Sequence, residues 1–407
     1  MKSIAILGFG VVGSGVAEVL AMNEDKIENH VGCKVRVKYI LDLRDFPGSP
    51  FESLVTHDAD QVFNDPDVSV VVETIGGARI AYEYTKRALS SGKSVVTSNK
   101  ELVATHGPEL MELAKANNCI YLYEAAVGGG IPIIRPLHRC LAANKVVRIA
   151  GIVNGTTNYI LTNMRDNGET YEDALKQAQA NGYAEQNPTA DVDGIDAQRK
   201  LSILSSIALD GAYVAPSEIH TEGISGLSLD DIDFAGKIGC KVKLLAVLDN
   251  QSEGKAYSFV APHFVRSSSV LFPVEGVFNA VVVEGNALGE AMFYGKGAGK
   301  LPTASAVVGD ILEAVMPVEA IAYAHNWVVP SEGERVTLPY EEALVKIVVR
   351  SSEAGVDEIK KVFASYETET ALDDEDQKAI IVRGIKNGEI DSLVAGINGA
   401  KWMHMYE

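Results

Sequence analysis

Apolar residues recur along the chain in two rhythms, and the change from one to the other divides it. Ser3–Leu7, Val35–Leu41, Val68–Val72, Ser94–Thr97 and Ile120–Tyr123 read as short strands. Between them, helical periods run up to Leu20, over Ala81–Ser90 and from about Pro108 to Asn117. Unbroken Val/Ile runs mark strands covered on both faces, and strands alternating with helices predict a mostly parallel, doubly wound sheet. From about Ile133 the rhythm changes. Val146–Val153 reads as a strand and Tyr159–Arg165 and Tyr171–Asn181 as helices. Consecutive strand-like segments then follow at Lys241–Leu248, Tyr257–Pro262, Asn279–Glu284 and Ala291–Tyr294. That order predicts a second domain of α+β type. A helix over Ser305–Val315 and a linker over 327–340 lead to a last, βαββαβ-like unit. Its strands are read at Ala343–Arg350, Ala379–Arg383 and Trp402–Tyr406, and its helices near Asp357–Ser365 and at Ile390–Ile397.

One helix breaks its own pattern. At 100° per residue, Ala197, Ile203, Leu204, Ile207 and Ala208 form an apolar face, and Asp196 and Lys200 fall on that side. A core-facing stripe normally excludes ionised groups, because burying a charge is costly unless it is paired. The pair is therefore either a buried structural salt bridge or part of a site. Just upstream, GYAEQNPTADVDGID gathers Glu185, Asp191 and Asp193, carboxylates that can meet a cationic amine while Lys200 handles a proton.

The first strand runs into Gly8-Phe9-Gly10-Val11-Val12-Gly13 and then a helix, the GxGxxG fingerprint in its strand–turn–helix context. Gly8 permits the tight turn, Gly10 lets the backbone approach a pyrophosphate, and Gly13 allows close helix–strand packing. The second strand ends in Asp42-Leu43-Arg44. An acid there suits the ribose hydroxyl of NAD and an arginine the 2′-phosphate of NADP, so both cofactors stay open. Ligands of such sheets sit beyond the carboxyl ends of strands, where Thr74–Gly77 and Thr97–Lys100 lie. Lys100 is there either an ordinary surface lysine or a neighbour of the cofactor. Glu124-Ala125-Ala126-Val127-Gly128-Gly129-Gly130-Ile131-Pro132 is either a flexible crossover or, with exposed carbonyls beside Glu124, an oxygen-only cation cage. The turn Gly295–Thr303, Gly297 included, leads into a helix; it is a return to the nucleotide domain against the cofactor, or a plain hinge.

Composition narrows the function. The 407 residues are 47% hydrophobic and 22% charged, as in ordinary soluble globular proteins, with room for two or three domains. A net charge of −19 argues against nucleic acid and acidic membrane surfaces. No run of eighteen apolar residues predicts a membrane span and no signal segment precedes the first strand, so a cytoplasmic protein is expected. Cys33, Cys119, Cys140 and Cys240 are widely separated and fit reduced thiols. None sits in a recognisable nucleophile motif, which disfavours thioester chemistry.

GFGVVGSG, VTSNK at 96–100, EAAVGGGIP at 124–132, NGTTNYI at 154–160, GYAEQNPTADVDGIDAQRK and FYGKGAGKLPT together resemble homoserine dehydrogenase, in order from residue 1 to about 325. The resemblance implies that Lys200 is the proton donor and acceptor, with Asp196 beside it, and that Glu185 and Asp191 hold homoserine. Gly182 and Thr156 would line the same pocket. Lys100 and Thr97 would lie by the nicotinamide, with Phe9, Gly10 and Val12 on the pyrophosphate loop. It also implies a monovalent cation, sodium or potassium, on Glu124 and the carbonyls of Val127, Gly129 and Ile131. NADP or NAD would be the cofactor, and a homodimer or higher homo-oligomer the assembly.

The expected layout is a Rossmann-type domain over 1–132, with a return segment at about 300–326. An α+β catalytic and dimerisation domain would span 133–299, and a small ACT-like regulatory domain 341–407. The first turn of that last unit, SSEAGVDEI, lacks the family's usual Pro, which bears on an amino-acid effector there. The expected reaction is the interconversion of L-homoserine and L-aspartate 4-semialdehyde. The alternatives are a dehydrogenase of another small amino acid and a nucleotide-binding sensor without turnover. A sensor needs no acid–base pair.

Overall fold

The protein is described from a computed structural model that covers residues 1–250, 255–316, 329–331 and 333–406. It divides into two compact units, 1–145 with 202–216 and 293–334, and 146–201 with 217–292 and 335–407.

The first unit holds six strands: β1 (Lys2–Leu7), β2 (Val35–Leu41), β3 (Val55–Thr56), β4 (Val68–Glu73), β5 (Ser94–Thr97) and β6 (Tyr121–Leu122). They are ordered β3-β2-β1-β4-β5-β6 and every pair is parallel. The order reverses direction beside β1, the switch point at which doubly wound sheets open a crevice for ligands. Ile4 to Leu7 and Val70 to Val72 are all fully buried, as their unbroken apolar runs require. The helix Lys300–Val315 returns to this unit and packs Ala304, Val307, Ile311 and Val315 into the core formed by Val16, Leu20, Val70 and Val72. The rest of the expected return segment, 317–326, lies outside the described residues. Two helices not read from the pattern, Glu24–Val31 and Ala59–Asn64, are short and bury only Ile27, and Val62 with Phe63.

In the second unit β7 (Val146–Ile152), β8 (His220–Thr221), β9 (Cys240–Asp249), β10 (Tyr257–Arg266), β11 (Phe278–Gly285), β12 (Gly289–Lys296), β13 (Leu344–Ser351), β14 (Glu367–Asp373), β15 (Lys378–Lys386) and β16 (Lys401–Tyr406) form one mixed sheet. Its order is β12-β11-β7-β9-β10-β16-β13-β15-β14, with β8 against β10. The βαββαβ order of the tail is present, and its last strand pairs both with β13 and, in parallel, with β10 through His263–His404 and Val265–Tyr406. Thus the sheet of the middle segment and that of residues 344–406 are continuous. They share one core, in which Phe259, Val265 and Leu271 join Ile347, Phe363 and Ile390.

The pattern missed β14, because ETETALD is an edge strand whose residues are exposed or half-buried and carry no apolar alternation. It also missed the helix Leu229–Lys237, which starts on a reciprocal cap between Ser228 and Asp231. Of the expected linker, 327, 328 and 332 lie outside the described residues. Thr337 and Leu338 are tied to Ala256, the latter by a 2.6 Å backbone hydrogen bond.

Candidate active site

In the first unit the glycine fingerprint forms as its spacing requires. Gly8 takes φ +85°, and a Cβ on Gly13 would lie 2.0 Å from the Gly8 carbonyl oxygen, so no other residue fits there. Thr74, at the end of β4, locks the turn by donating to the Gly8 carbonyl at 2.8 Å. Gly10 has open space where a side chain would stand, and it precedes the helix Val11–Met22, whose first amides have no side-chain cap. Val12 is half-buried on that helix. Phe9 is buried edge-on to Phe46 and Phe51.

At the end of β2, Asp42 grips Arg44 by accepting from its Nε and Nη2, each at 3.0 Å, and accepts the Phe9 amide at 2.7 Å. The Arg44 side chain holds the Asp42 carboxyl down to about 2, against burial, which pushes the other way. Asp42 thereby serves as a strut between the glycine turn and Arg44, whose side chain is 63% exposed.

The ends of β4 and β5 meet on Glu73, a residue the pattern did not single out. Thr97 donates to its carboxylate at 2.5 Å and the Ile75 amide at 2.6 Å. Burial raises the carboxyl to about 7, while Thr97, Ile75 and Asn99 oppose the shift. Asn99 caps the helix Lys100–Ala116 through the Leu102 amide, which places Lys100 at the first helical position. An acid ending the apolar run VSVVVE was the available signal.

Glu124 is buried, and its carboxylate accepts the amides of Ile133, Ile134 and Arg135 at 2.7, 2.9 and 2.7 Å. It thus caps the helix Ile134–His138. The carbonyls of Val127, Gly129 and Ile131 accept no hydrogen bond among the described residues. Gly129 is forced to be glycine, since a Cβ there would meet the Gly297 carbonyl at 2.4 Å. Gly297 therefore lies against the triple-glycine turn, and the Gly130 amide donates to the carbonyl of Lys296 at 3.2 Å. No cluster of three or more His, Cys, Asp or Glu side chains among the described residues can hold a metal ion.

The second unit assembles the acid–base cluster. Asp196 and Lys200, one turn apart on the helix Ile195–Ala208, form an ion pair of 2.7 Å with side chains 6% and 10% exposed. Lys200 Nζ also donates to the Val153 carbonyl at 2.6 Å. Asn154 donates to Asp191 at 2.7 Å and to Asp196 at 2.8 Å, and this residue too was missed. Its signal was an Asn between a strand and a helix, the preferred start of the latter. Thr156 donates to the Tyr183 carbonyl at 2.5 Å, fixing the turn after Gly182, which takes φ +74°. Glu185 is exposed in the same unit, and its carboxylate makes no hydrogen bond among the described residues. Of the expected substrate residues, Asp191 is joined to the Asp196–Lys200 pair through Asn154, and Glu185 is not.

Two family models match the chain in succession. The family model described as homoserine dehydrogenase, NAD binding domain, matches residues 8–124, and that described as homoserine dehydrogenase matches 132–312. Homoserine dehydrogenase of Bacillus subtilis is 38% identical, over 89% of this chain and 86% of its own.

The chain belongs to the homoserine dehydrogenase family.

That of Neisseria gonorrhoeae is 43% identical over 78% of this chain and 73% of its own. Among solved structures, a homoserine dehydrogenase from Thiobacillus denitrificans covers 100% of this chain and is itself covered to 98%, with a TM-score of 0.89 and 33% identity. A hyperthermophilic archaeal homoserine dehydrogenase in complex with NADPH covers 77% of this chain and is itself covered to 98%, with a TM-score of 0.64 and 32% identity. As a homoserine dehydrogenase, the protein is an oxidoreductase that uses a nicotinamide cofactor to interconvert L-homoserine and L-aspartate 4-semialdehyde. The sensor and the other amino-acid dehydrogenase are not favoured. Among the described residues no helix is long and apolar enough to cross a membrane.

Proposed function

We propose that Lys200 is the group that moves the substrate proton. In the oxidative direction it takes the hydroxyl proton of L-homoserine, and in the reverse direction it returns a proton to the aldehyde oxygen. The nicotinamide, when bound, supplies hydride transfer. The supporting observation is the buried 2.7 Å pair with Asp196, aimed by the Val153 carbonyl. A lysine held this way has a fixed direction and little water to compete with a substrate oxygen. Asp191 and Glu185 neutralise the homoserine ammonium, while Thr156 and Gly182 shape the turn that carries Glu185.

On the cofactor side, Gly8, Phe9, Gly10, Val12 and Gly13 carry the pyrophosphate, and Thr97 and Lys100 border the nicotinamide. Gly297, behind the triple-glycine turn, supports that border. Arg44 reaches a 2′-phosphate, which favours NADP over NAD and agrees with the NADPH complex of the archaeal relative. A sodium or potassium ion is assigned to the carbonyls of Val127, Gly129 and Ile131, which accept no hydrogen bond among the described residues, with the buried Glu124 in the same segment. The reading extends to a cytoplasmic homodimer or higher homo-oligomer. It includes an amino-acid effector on the βαββαβ unit, a domain-level proposal resting on element order.

The test is initial rates of reduced-cofactor formation from L-homoserine, with NADP and NAD in parallel and sodium or potassium present, for the parent and Lys200→Ala. The variant is expected to bind cofactor normally and to lose about 10²–10⁴-fold in kcat, the range of general acid–base catalysis. Unchanged turnover removes Lys200 from the mechanism.

A further inference from the structure

We infer that Asn154 is a positioning residue for proton transfer: its single amide group clamps Asp191 and Asp196 together beside Lys200. The inference rests on the reading of Lys200 as the proton carrier.

Asn154 stands at the corner where β7 gives way to the helix Gly155–Asn167, with extended backbone and 5% exposure. Its Oδ1 accepts the Thr157 amide at 2.9 Å, and its Nδ2 donates to Asp191 Oδ1 at 2.7 Å and to Asp196 Oδ2 at 2.8 Å. An asparagine amide has two N–H donors and one oxygen, and all are engaged here. Turning the amide over would set its oxygen against two carboxylates and uncap the helix, so its partners fix its orientation. The oxygen of Asp196 that takes this N–H also takes Lys200 Nζ, at 2.7 Å. The second acceptor of Lys200 is the carbonyl of Val153, the residue just before Asn154. One dipeptide therefore touches both ends of the ion pair, the main chain at the lysine and the side chain at the acid.

The charged groups that this clamp joins include Lys200 and Asp196 from one helix and Asp191 from the short helix Thr189–Val192. The two carboxylates repel, and a donor shared between them offsets that. With the donor gone, Asp191 is released from the substrate side, and Asp196 gives its undivided charge to Lys200, which then yields its proton less readily.

Asn154→Ser separates this role from the helix cap, because serine caps as well as asparagine but cannot span two carboxylates. The variant should stay folded, with its melting temperature lowered by a few degrees for the lost hydrogen bonds and cofactor affinity unchanged. We expect kcat/KM for L-homoserine to fall about ten- to hundred-fold, the usual weight of hydrogen bonds to charged groups. The KM for L-homoserine should rise, and the pH of half-maximal kcat in the oxidative direction should move up by about half a unit or more. Asn154→Asp also caps the helix but adds a third carboxylate. It should move that pH further, and it stands in if the serine variant does not fold.

A folded variant with kcat/KM within about two-fold of the parent, on the scale of ordinary surface changes, overturns the inference. So does a loss of activity that leaves the pH limb and the homoserine KM unmoved. Lys200→Ala is assayed alongside. If it still turns over, the proton-transfer reading itself fails; if it is inactive while Asn154→Ser is parent-like, only the clamp fails.

Discussion

Lys200 follows Asp196 by one helical turn, and the two close a 2.7 Å ion pair on the apolar side of their helix. Ile203, Leu204 and Ala197 on the same side are buried completely or nearly so. Packing alone would favour two aliphatic side chains at these positions, since apolar replacements of a buried ion pair are often neutral or stabilising. A pair that packing does not require, placed where a hydride-transfer enzyme needs one mobile proton, points to chemistry. Its removal should therefore have opposite effects on stability and on rate.

Asp196→Ala alone leaves Lys200 charged and buried without its counter-ion, and should destabilise the protein by about 3–5 kcal/mol. Asp196→Ala combined with Lys200→Met should recover much of that loss while remaining inactive. Urea unfolding of the two variants checks it; a double variant no more stable than the single one would mean the pair is a structural necessity.

Asp191→Asn keeps the size of the side chain and removes its charge. The KM for L-homoserine should rise about ten-fold or more, as expected on losing one charge-assisted contact, with the KM for cofactor unchanged. Equal changes in both KM values would place Asp191 outside the substrate pocket.

At the ribose end, Asp42 and Arg44 should behave differently although they are bonded to each other. Arg44→Ala removes an exposed cation and should lower kcat/KM with NADP by about ten-fold or more while sparing NAD, because only the former carries a 2′-phosphate. Asp42→Ala frees the Phe9 amide that it holds at 2.7 Å and should weaken both cofactors alike. The ratio of rates with the two cofactors decides, and an unmoved ratio in Arg44→Ala rejects the assignment.

Glu73 makes stability depend on pH in an unusual direction. Burial raises its carboxyl from 4.5 to about 7, so between those values the folded protein keeps a proton that the unfolded chain has released. Stability is then greatest on the acid side and is lost as pH rises through the window, by about 3 kcal/mol in all for this group. Glu73→Gln should flatten the change in melting temperature between pH 5 and 8 and be the more stable protein at pH 8. A parent and variant that melt in parallel across this range would show that Glu73 is ionised throughout.

The parallel sheet was legible because its strands are covered on both faces, so that VSVVVE and SIAIL announce themselves as apolar runs. The glycine fingerprint was legible because Gly13 tolerates no substitute. Asp196 and Lys200 were legible as charges on an apolar stripe. Asn154 was not, since its two acceptors lie far along the chain, in segments that only the fold brings to the end of β7. The place of residues 341–407 was obscured for a related reason: strand pairing between β10 and β16 leaves no periodic signature in either. A small unit with its own element order looks separable in sequence. The shared core of Val265, Ile347 and Phe363 does not look so in space.

Ending the chain before Leu344 should therefore leave an aggregating protein rather than an unregulated enzyme, because the β10 edge and that core would lie open. Solubility and the sharpness of the thermal transition measure this, and a soluble, cooperatively melting product would show that the two parts are independent.

The insertion of β16 between β10 and β13 also sets a timetable. Of the described strands the last to be made takes a central place, beside one made much earlier. While the ribosome is still at work, β10 has one flank without its neighbour at His263 to Val265, and the nascent chain must wait with that flank unpaired. Synthesis from the N-terminus can complete the nucleotide sheet's six strands early, but the ten-stranded sheet closes only when nearly all of this sequence has been released. Newly made chains should for that reason need protection from one another in the interval, and the yield of folded protein should respond more to the speed of translation and to chaperones than the stability of the finished molecule suggests.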